Sequence, residues 1–73
     1  MFRRLDLHGC TVAEAKKLLD RELAAAPKGC ELTVIHGFHG GTALQNFVRT
    51  YKHKRIRQKL LSLNGGETIL LLN

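Results

Sequence analysis

LTVIHGFHGGTAL, residues 32–44, runs from a β-branched apolar stretch into a glycine-rich turn and on toward a helix. Leu32, Thr33, Val34 and Ile35 place apolar or β-branched side chains on both faces, the composition of a strand buried on both sides. His36, Gly37, Phe38, His39, Gly40 and Gly41 break the run. Thr42 can then cap a helix in which Leu44, Phe47, Val48 and Tyr51 recur at i, i+3, i+4 and i+7. A buried strand that feeds a helix through a short turn is half of a βαβ unit.

The same pattern stands upstream at residues 5–15, LDLHGCTVAEA. Over residues 4–8, Leu5 and Leu7 face one way while Asp6 and His8 face the other, as in a short strand. Gly9 and Cys10 form the turn. Thr11, Val12, Ala13 and Glu14 spell a capping box, in which Thr11 caps the helix and Glu14 reaches back. Val12, Ala15, Leu18, Leu19, Leu23 and Ala26 follow at helical spacing, leaving Lys16, Lys17, Asp20 and Arg21 outside. Pro27 and Gly29 stop this helix.

Downstream, residues 52–59, KHKRIRQK, lose the helical period after Tyr51 and are expected to form a loop. Residues 60–63 and 68–72 are apolar and flank Asn64, Gly65, Gly66 and Glu67, the signature of a β-hairpin. The predicted order is βαβαββ in an α/β two-layer sandwich. A four-stranded mixed sheet carries two helices on one face, with right-handed crossovers, in one domain spanning 1–73.

Twelve Lys and Arg against six Asp and Glu give a formal charge of +6, which favours an anionic partner over a neutral one. The plain alternative is a soluble basic domain. The longest uninterrupted apolar run, 69–72, falls far short of the roughly 20 residues that span a bilayer. MFRRLDL lacks the apolar core of a signal peptide, so a cytoplasmic location and no membrane partner are expected. Cys10 and Cys30 are then reduced thiols. Without a C-x-x-C spacing they read better as two small semi-buried side chains than as a zinc site.

Neighbouring parallel strands deliver their carboxyl ends to one edge, where ligands bind. The first strand brings Asp6, His8 and Gly9 there, and the second brings His36 and the loop to Gly41. The glycines free backbone N–H groups, and the loop opens into a helix N-terminus, which together suit a phosphate. The spacing is not that of a nucleotide triphosphatase loop, and a tight turn explains the glycines equally well. Asp6, two residues from His8 on the same face, can orient the imidazole for proton transfer or for gripping a phosphate. The bland alternative has Asp6 bonding the turn backbone and His8 merely solvated. His36 and His39 raise the number of imidazoles at the edge, yet no pair has the spacing of zinc helices. Arg49, Lys52, Lys54, Arg55 and Arg57 form a candidate backbone-binding strip, although a charge run is more often a solvated face. Only 5% of residues are aromatic, so recognition should rest on backbone and shape more than on stacking.

Leu5, Asp6, Leu7, His8 and Gly9, followed by Thr11, Glu14 and Ala15, resemble the opening motif of the Smr (small MutS-related) domain. Val34, Ile35, His36 and Gly37, with Leu44, Val48 and Arg49 in the following helix, look like that family's second motif. Gly65, Gly66, Thr68 and Leu72 resemble its closing strand. The resemblance spans nearly the whole chain. It implies a sandwich similar to the C-terminal domain of bacterial translation initiation factor three, and nucleic-acid binding with DNA nicking or RNA cleavage in many members. The implicated positions map onto Asp6, His8 and the loop after His36 and Gly37. The second motif departs from the usual H-G-x-G. HGFHGGTAL is one residue longer, His39 stands at the expected glycine, and Gln45 stands where arginine is usual. The departure bears on cleavage more than on binding.

The leading expectation is a nucleic-acid-binding domain with endonuclease activity. Asp6, His8 and His36 are its candidate catalytic residues. Gly9, Gly37, Phe38, His39, Gly40, Gly41 and Thr42 hold the phosphate, and the basic strip holds the backbone. No cofactor is needed for binding, while Mg or Mn at Asp6 would assist if DNA is cut. The alternatives are a non-catalytic nucleic-acid-binding module and, last, an enzyme on a small phosphorylated metabolite, which would need a pocket that so short a chain is not expected to enclose.

Overall fold

Strand β2 (Glu31–Ile35) is central, as its two-sided apolar composition requires. It pairs in parallel with β1 (Phe2–Asp6) and antiparallel with β4 (Glu67–Leu72). Strand β3 (Ile56–Leu61) pairs antiparallel with β4, giving the order β1-β2-β4-β3. Helices α1 (Val12–Ala25) and α2 (Ala43–Thr50) follow β1 and β2, completing the expected βαβαββ succession. The computed structural model describes residues 1–37, 42–63 and 65–73.

Alternation decides which face of the sheet is buried. Leu32, Val34 and His36 of one parity are buried, as are Thr68, Leu70 and Leu72 on β4. Against them pack Ala15, Leu19 and Leu23 of α1 and Val48 of α2, with Leu7 closing the β1 side. Each fully buried leucine contributes about 1.5–3 kcal/mol relative to exposure. The opposite face, carrying Arg4, Thr33, Ile35 and Ile69, has no covering layer among the described residues.

The capping box forms as read. The Glu14 N–H donates to Thr11 Oγ1 at 3.1 Å, and the Thr11 N–H donates to Glu14 Oε1 at 2.9 Å. That backbone bond holds the Glu14 carboxyl below its usual range. Val12, placed by periodicity on the apolar face, is instead 41% exposed at the first turn.

The segment expected to loop through residue 59 becomes strand at Ile56. Helical periodicity ends at Tyr51, but the outer strand of a sheet tolerates the polar side chains that obscure a strand pattern. A register shift between Ile56 and Gln58 removes the alternation as well. The last β3–β4 pair is Leu61 with Thr68, so the hairpin connection covers 62–66. Asn64 lies outside the described residues.

Two basic residues of this segment stop the helices. The Arg55 guanidinium donates to the carbonyls of Leu23 (2.6 Å), Ala26 (2.7 Å) and Pro27 (3.3 Å), and to Asn73 O (2.8 Å). It thus satisfies the orphan carbonyls at the end of α1. Lys59 Nζ does the same for α2, reaching Arg49 O at 2.9 Å and Tyr51 O at 2.5 Å. Burial pushes the Lys59 ammonium pKa down, with a smaller push from Lys52.

Candidate nucleic-acid interface

The carboxyl ends of β1 and β2 meet as the parallel pairing predicts. The Leu7 N–H donates to Ile35 O at 2.7 Å, one step beyond the Asp6–Ile35 register. Beyond that point the chains turn at Gly9 (φ +79°) and Gly37 (φ +72°). A Cβ at Gly37 would stand 3.7 Å from His8 Cβ, so the two turns lie against each other.

Asp6 and His8 form one unit. Asp6 Oδ1 accepts from the His8 backbone N–H at 3.0 Å and lies 2.6 Å from His8 Nδ1. These bonds, the ring contact foremost, hold the Asp6 carboxyl below the usual carboxylate range. An ionised carboxylate only accepts, so Nδ1 carries the hydrogen and Nε2 is left to face outward. With 73% of the His8 side chain and 52% of the Asp6 side chain exposed, the pair is open to a large ligand.

His36 is differently placed. It is 3% exposed and uses both ring nitrogens: Nδ1 lies 3.0 Å from Gly37 O, and Nε2 lies 2.9 Å from Thr68 Oγ1. A carbonyl cannot donate, so Nδ1 bears the hydrogen toward Gly37. In the neutral ring Nε2 accepts from the Thr68 hydroxyl. His36 therefore anchors the start of the loop to β4. The backbone adds to this anchor, since the His36 and Gly37 N–H groups lie 2.9 Å from Gly66 O.

Sequence reasoning missed Thr68 as a partner. The available signal was its parity with Leu70 and Leu72, which puts a hydroxyl on the buried face. Gly66, which meets the start of the loop, and Gly65, with its carbonyl 3.3 Å from Gln45 Nε2, belong to the hairpin and closing-strand signals and carry no local sign of these contacts.

The helix N-termini at this edge also differ. That of α1 is closed by its own capping box, including the Glu14 charge. Thr42 at the head of α2 makes no side-chain cap, so among the described residues no side chain closes the first turn of α2 as Thr11 and Glu14 close that of α1. Phe38, His39, Gly40 and Gly41, assigned to the phosphate loop, lie outside the described residues.

The basic strip does not converge on this edge. Arg49 is exposed on the outer side of α2, and Lys52 and Lys54 are exposed in the following connection. Arg57 is exposed in the β3 irregularity. Arg55 is committed to helix carbonyls at the opposite end of the sheet, where Lys28, Lys54, Arg55 and Asn73 line an open depression. Four residues of β2 separate the two ends, about 13 Å. Tyr51, also near the strip, donates to Asp20 Oδ1 and joins α2 to α1.

Cys10 and Cys30 are unpaired thiols, Cys30 buried. No group of three or more His, Cys, Asp or Glu able to hold a metal occurs among the described residues. No described helix is long and apolar enough to cross a membrane.

The sequence model of one protein family, described as the Smr domain, matches residues 5–65. No curated protein and no solved structure matches the chain.

Proposed function

The chain belongs to the Smr domain family, whose members are nucleic-acid-binding and nuclease-like, and on that premise we propose that it binds nucleic acid and cleaves the phosphodiester backbone at Asp6 and His8. The observation that carries the proposal is the exposed pair itself. Asp6 holds Nδ1–H, most of the His8 side chain is exposed, and Gly37 lies alongside.

In this reading a backbone phosphate rests against the glycine loop and the uncapped N-terminus of α2. On RNA, the 2′-hydroxyl attacks the adjacent phosphorus. The new P–O2′ bond forms as the P–O5′ bond breaks, giving a cyclic phosphate and a free 5′-hydroxyl. Neutral His8 takes the 2′-hydroxyl proton on Nε2 and, as the imidazolium so formed, gives it to the departing 5′ oxygen. Asp6 fixes the tautomer and stabilises the cationic ring. His36 keeps the loop in place and transfers no proton, because both its nitrogens are occupied.

On DNA a water must attack, and a divalent ion would assist. Asp6 is the one described carboxylate in this pair, and its Oδ1 already serves His8 twice. Among the described residues this donor set does not fit a metal held by protein side chains alone.

The test uses labelled single- and double-stranded RNA and DNA, with and without EDTA, and an RNA with one 2′-deoxy position. RNA cleavage blocked by that substitution, indifferent to EDTA and lost in Asp6→Ala and His8→Ala is expected. Undiminished cleavage by both variants overturns the mechanism. Salt-sensitive binding without cutting leaves a non-catalytic module.

A further inference from the structure

Resting on the nucleic-acid reading above, we propose that the backbone of the bound nucleic acid runs along the outer surface of the helical layer, on Lys17, Arg21, Arg49 and Lys52, and not across the open face of the sheet.

The charges are segregated between the two layers. The open sheet face carries Arg4 against three carboxylates, Asp6, Glu31 and Glu67, all on the parity opposite the buried positions. Arg4 already lies 3.9 Å from Glu67. Away from the Asp6/His8 edge, a polyanion meets net negative charge there.

The helical layer is the reverse. Each of its carboxylates is tied to a partner within the layer or at its rim. Glu14 closes the capping box, and Glu22 pairs with Arg3 at 2.5 Å. Asp20 takes Lys16 at 2.8 Å and the Tyr51 hydroxyl, which hold its carboxyl below the usual range. Lys17, Arg21, Arg49 and Lys52 are exposed and have no ion-pair partner among the described residues.

Tertiary contacts bring these cations together. The Tyr51–Asp20 bond, with the Lys16 ammonium 5.8 Å from the Tyr51 ring centre, pins the end of α2 to the middle of α1. Arg21 follows Asp20 on α1 and Lys52 follows Tyr51, so the bond brings two cation-bearing segments 31 residues apart into one layer. Lys17 and Arg21 are one turn apart on the outer side of α1, about 6 Å along the axis. Both helices begin at the edge bearing Asp6 and His8. A strand lying along them meets cations first and the uncapped N-terminus of α2 at the reacting end. Arg55 and Lys59 are excluded because their N–H donors are committed to backbone carbonyls at the helix ends.

The test measures binding of labelled RNA and DNA across a salt series for three proteins. One is the natural chain, one is Lys17→Gln/Arg21→Gln/Lys52→Gln, and one is Thr33→Glu/Gln58→Glu on the open face. Circular dichroism and thermal unfolding verify folding, and Lys17→Glu alone serves as a milder helical variant if the triple one unfolds. Loss of three phosphate contacts should lower the slope of log K against log salt by about 2 to 3 and weaken binding at least tenfold at low salt. The open-face variant should bind within threefold of the natural chain. Unchanged affinity in the helical variants, or a larger loss in the open-face variant, overturns the inference while leaving the nucleic-acid reading intact. A natural chain that binds no nucleic acid but retains an acidic polypeptide overturns both.

Discussion

His8 and His36 leave the same edge of two paired parallel strands, and Gly37 after the second lies against His8. His8 has 73% of its side chain exposed, and His36 is 3% exposed. Parity accounts for the difference. His8 shares its face with Asp6, on the open side, whereas His36 shares its face with Leu32 and Val34, which the helices cover. One histidine therefore has a carboxylate behind it and, among the described residues, no partner on its second ring nitrogen. The other is consumed by Gly37 and Thr68. The lesson is that proximity to an edge does not assign chemistry; the side of the sheet does.

The strongest way to break this contrast is to remove each ring in turn. His8→Ala should lower the cleavage rate by roughly 100- to 10,000-fold, the span of general acid–base catalysis, with thermal stability nearly unchanged. Equal loss of stability in both variants would erase the distinction. His36→Ala should act mainly on folding. It opens a cavity and strands the Thr68 hydroxyl on the buried face, at a cost of about 2–4 kcal/mol, read as a drop in Tm.

A finer probe is Thr68→Val, which keeps the shape and deletes the hydroxyl. It should cost about 1–3 kcal/mol in denaturant unfolding, because Nε2 of His36 loses its partner inside the protein. Thr68→Ser should restore most of this. If valine is as stable as threonine, His36 is held by Gly37 and the backbone alone. Gly37→Ala comes next, at about 1 kcal/mol, since φ +72° strains any side chain even though the added Cβ meets His8 only in ordinary contact.

The smallest effect concerns pH. His8 lowers the Asp6 pKa in the folded state, so the carboxylate contributes stability that is fully present above the unfolded value near 3.9 and lost as pH falls through the lower folded value. Carbon NMR of the Asp6 carboxyl should show its inflection below about 3.9, moving up in His8→Ala. A midpoint unaffected by His8→Ala would mean the pair is not formed in solution.

Much of the fold was legible because its signals are local. The capping box at Thr11 and Glu14, the two helical stripes and the glycine turns after two strands each depend on residues within a few positions of one another. The Asp6/His8 pair was legible for the same reason, its members being two residues apart on one face. Strand β3 was misjudged at its start because Arg57, Gln58 and Lys59 give an outer strand no apolar alternation, and the register shift removes what remains. The role of His36 was obscured because β2 is apolar on both parities, which hid the covered face.

The sequence by itself therefore determined the succession of strands and helices, the helix caps within α1, and the carboxylate–imidazole pair. Those follow from backbone periodicity and short-range hydrogen bonding. Only the tertiary structure decided which basic residues face solvent. Arg55 reaches carbonyls 28 to 32 residues away, and Lys59 reaches across to the end of α2. It likewise decided that Thr68 sits against His36, 32 positions earlier. A cation beside unsatisfied helix carbonyls, or a hydroxyl beside a buried ring nitrogen, is assigned by the packing of distant segments, and no local pattern encodes that choice.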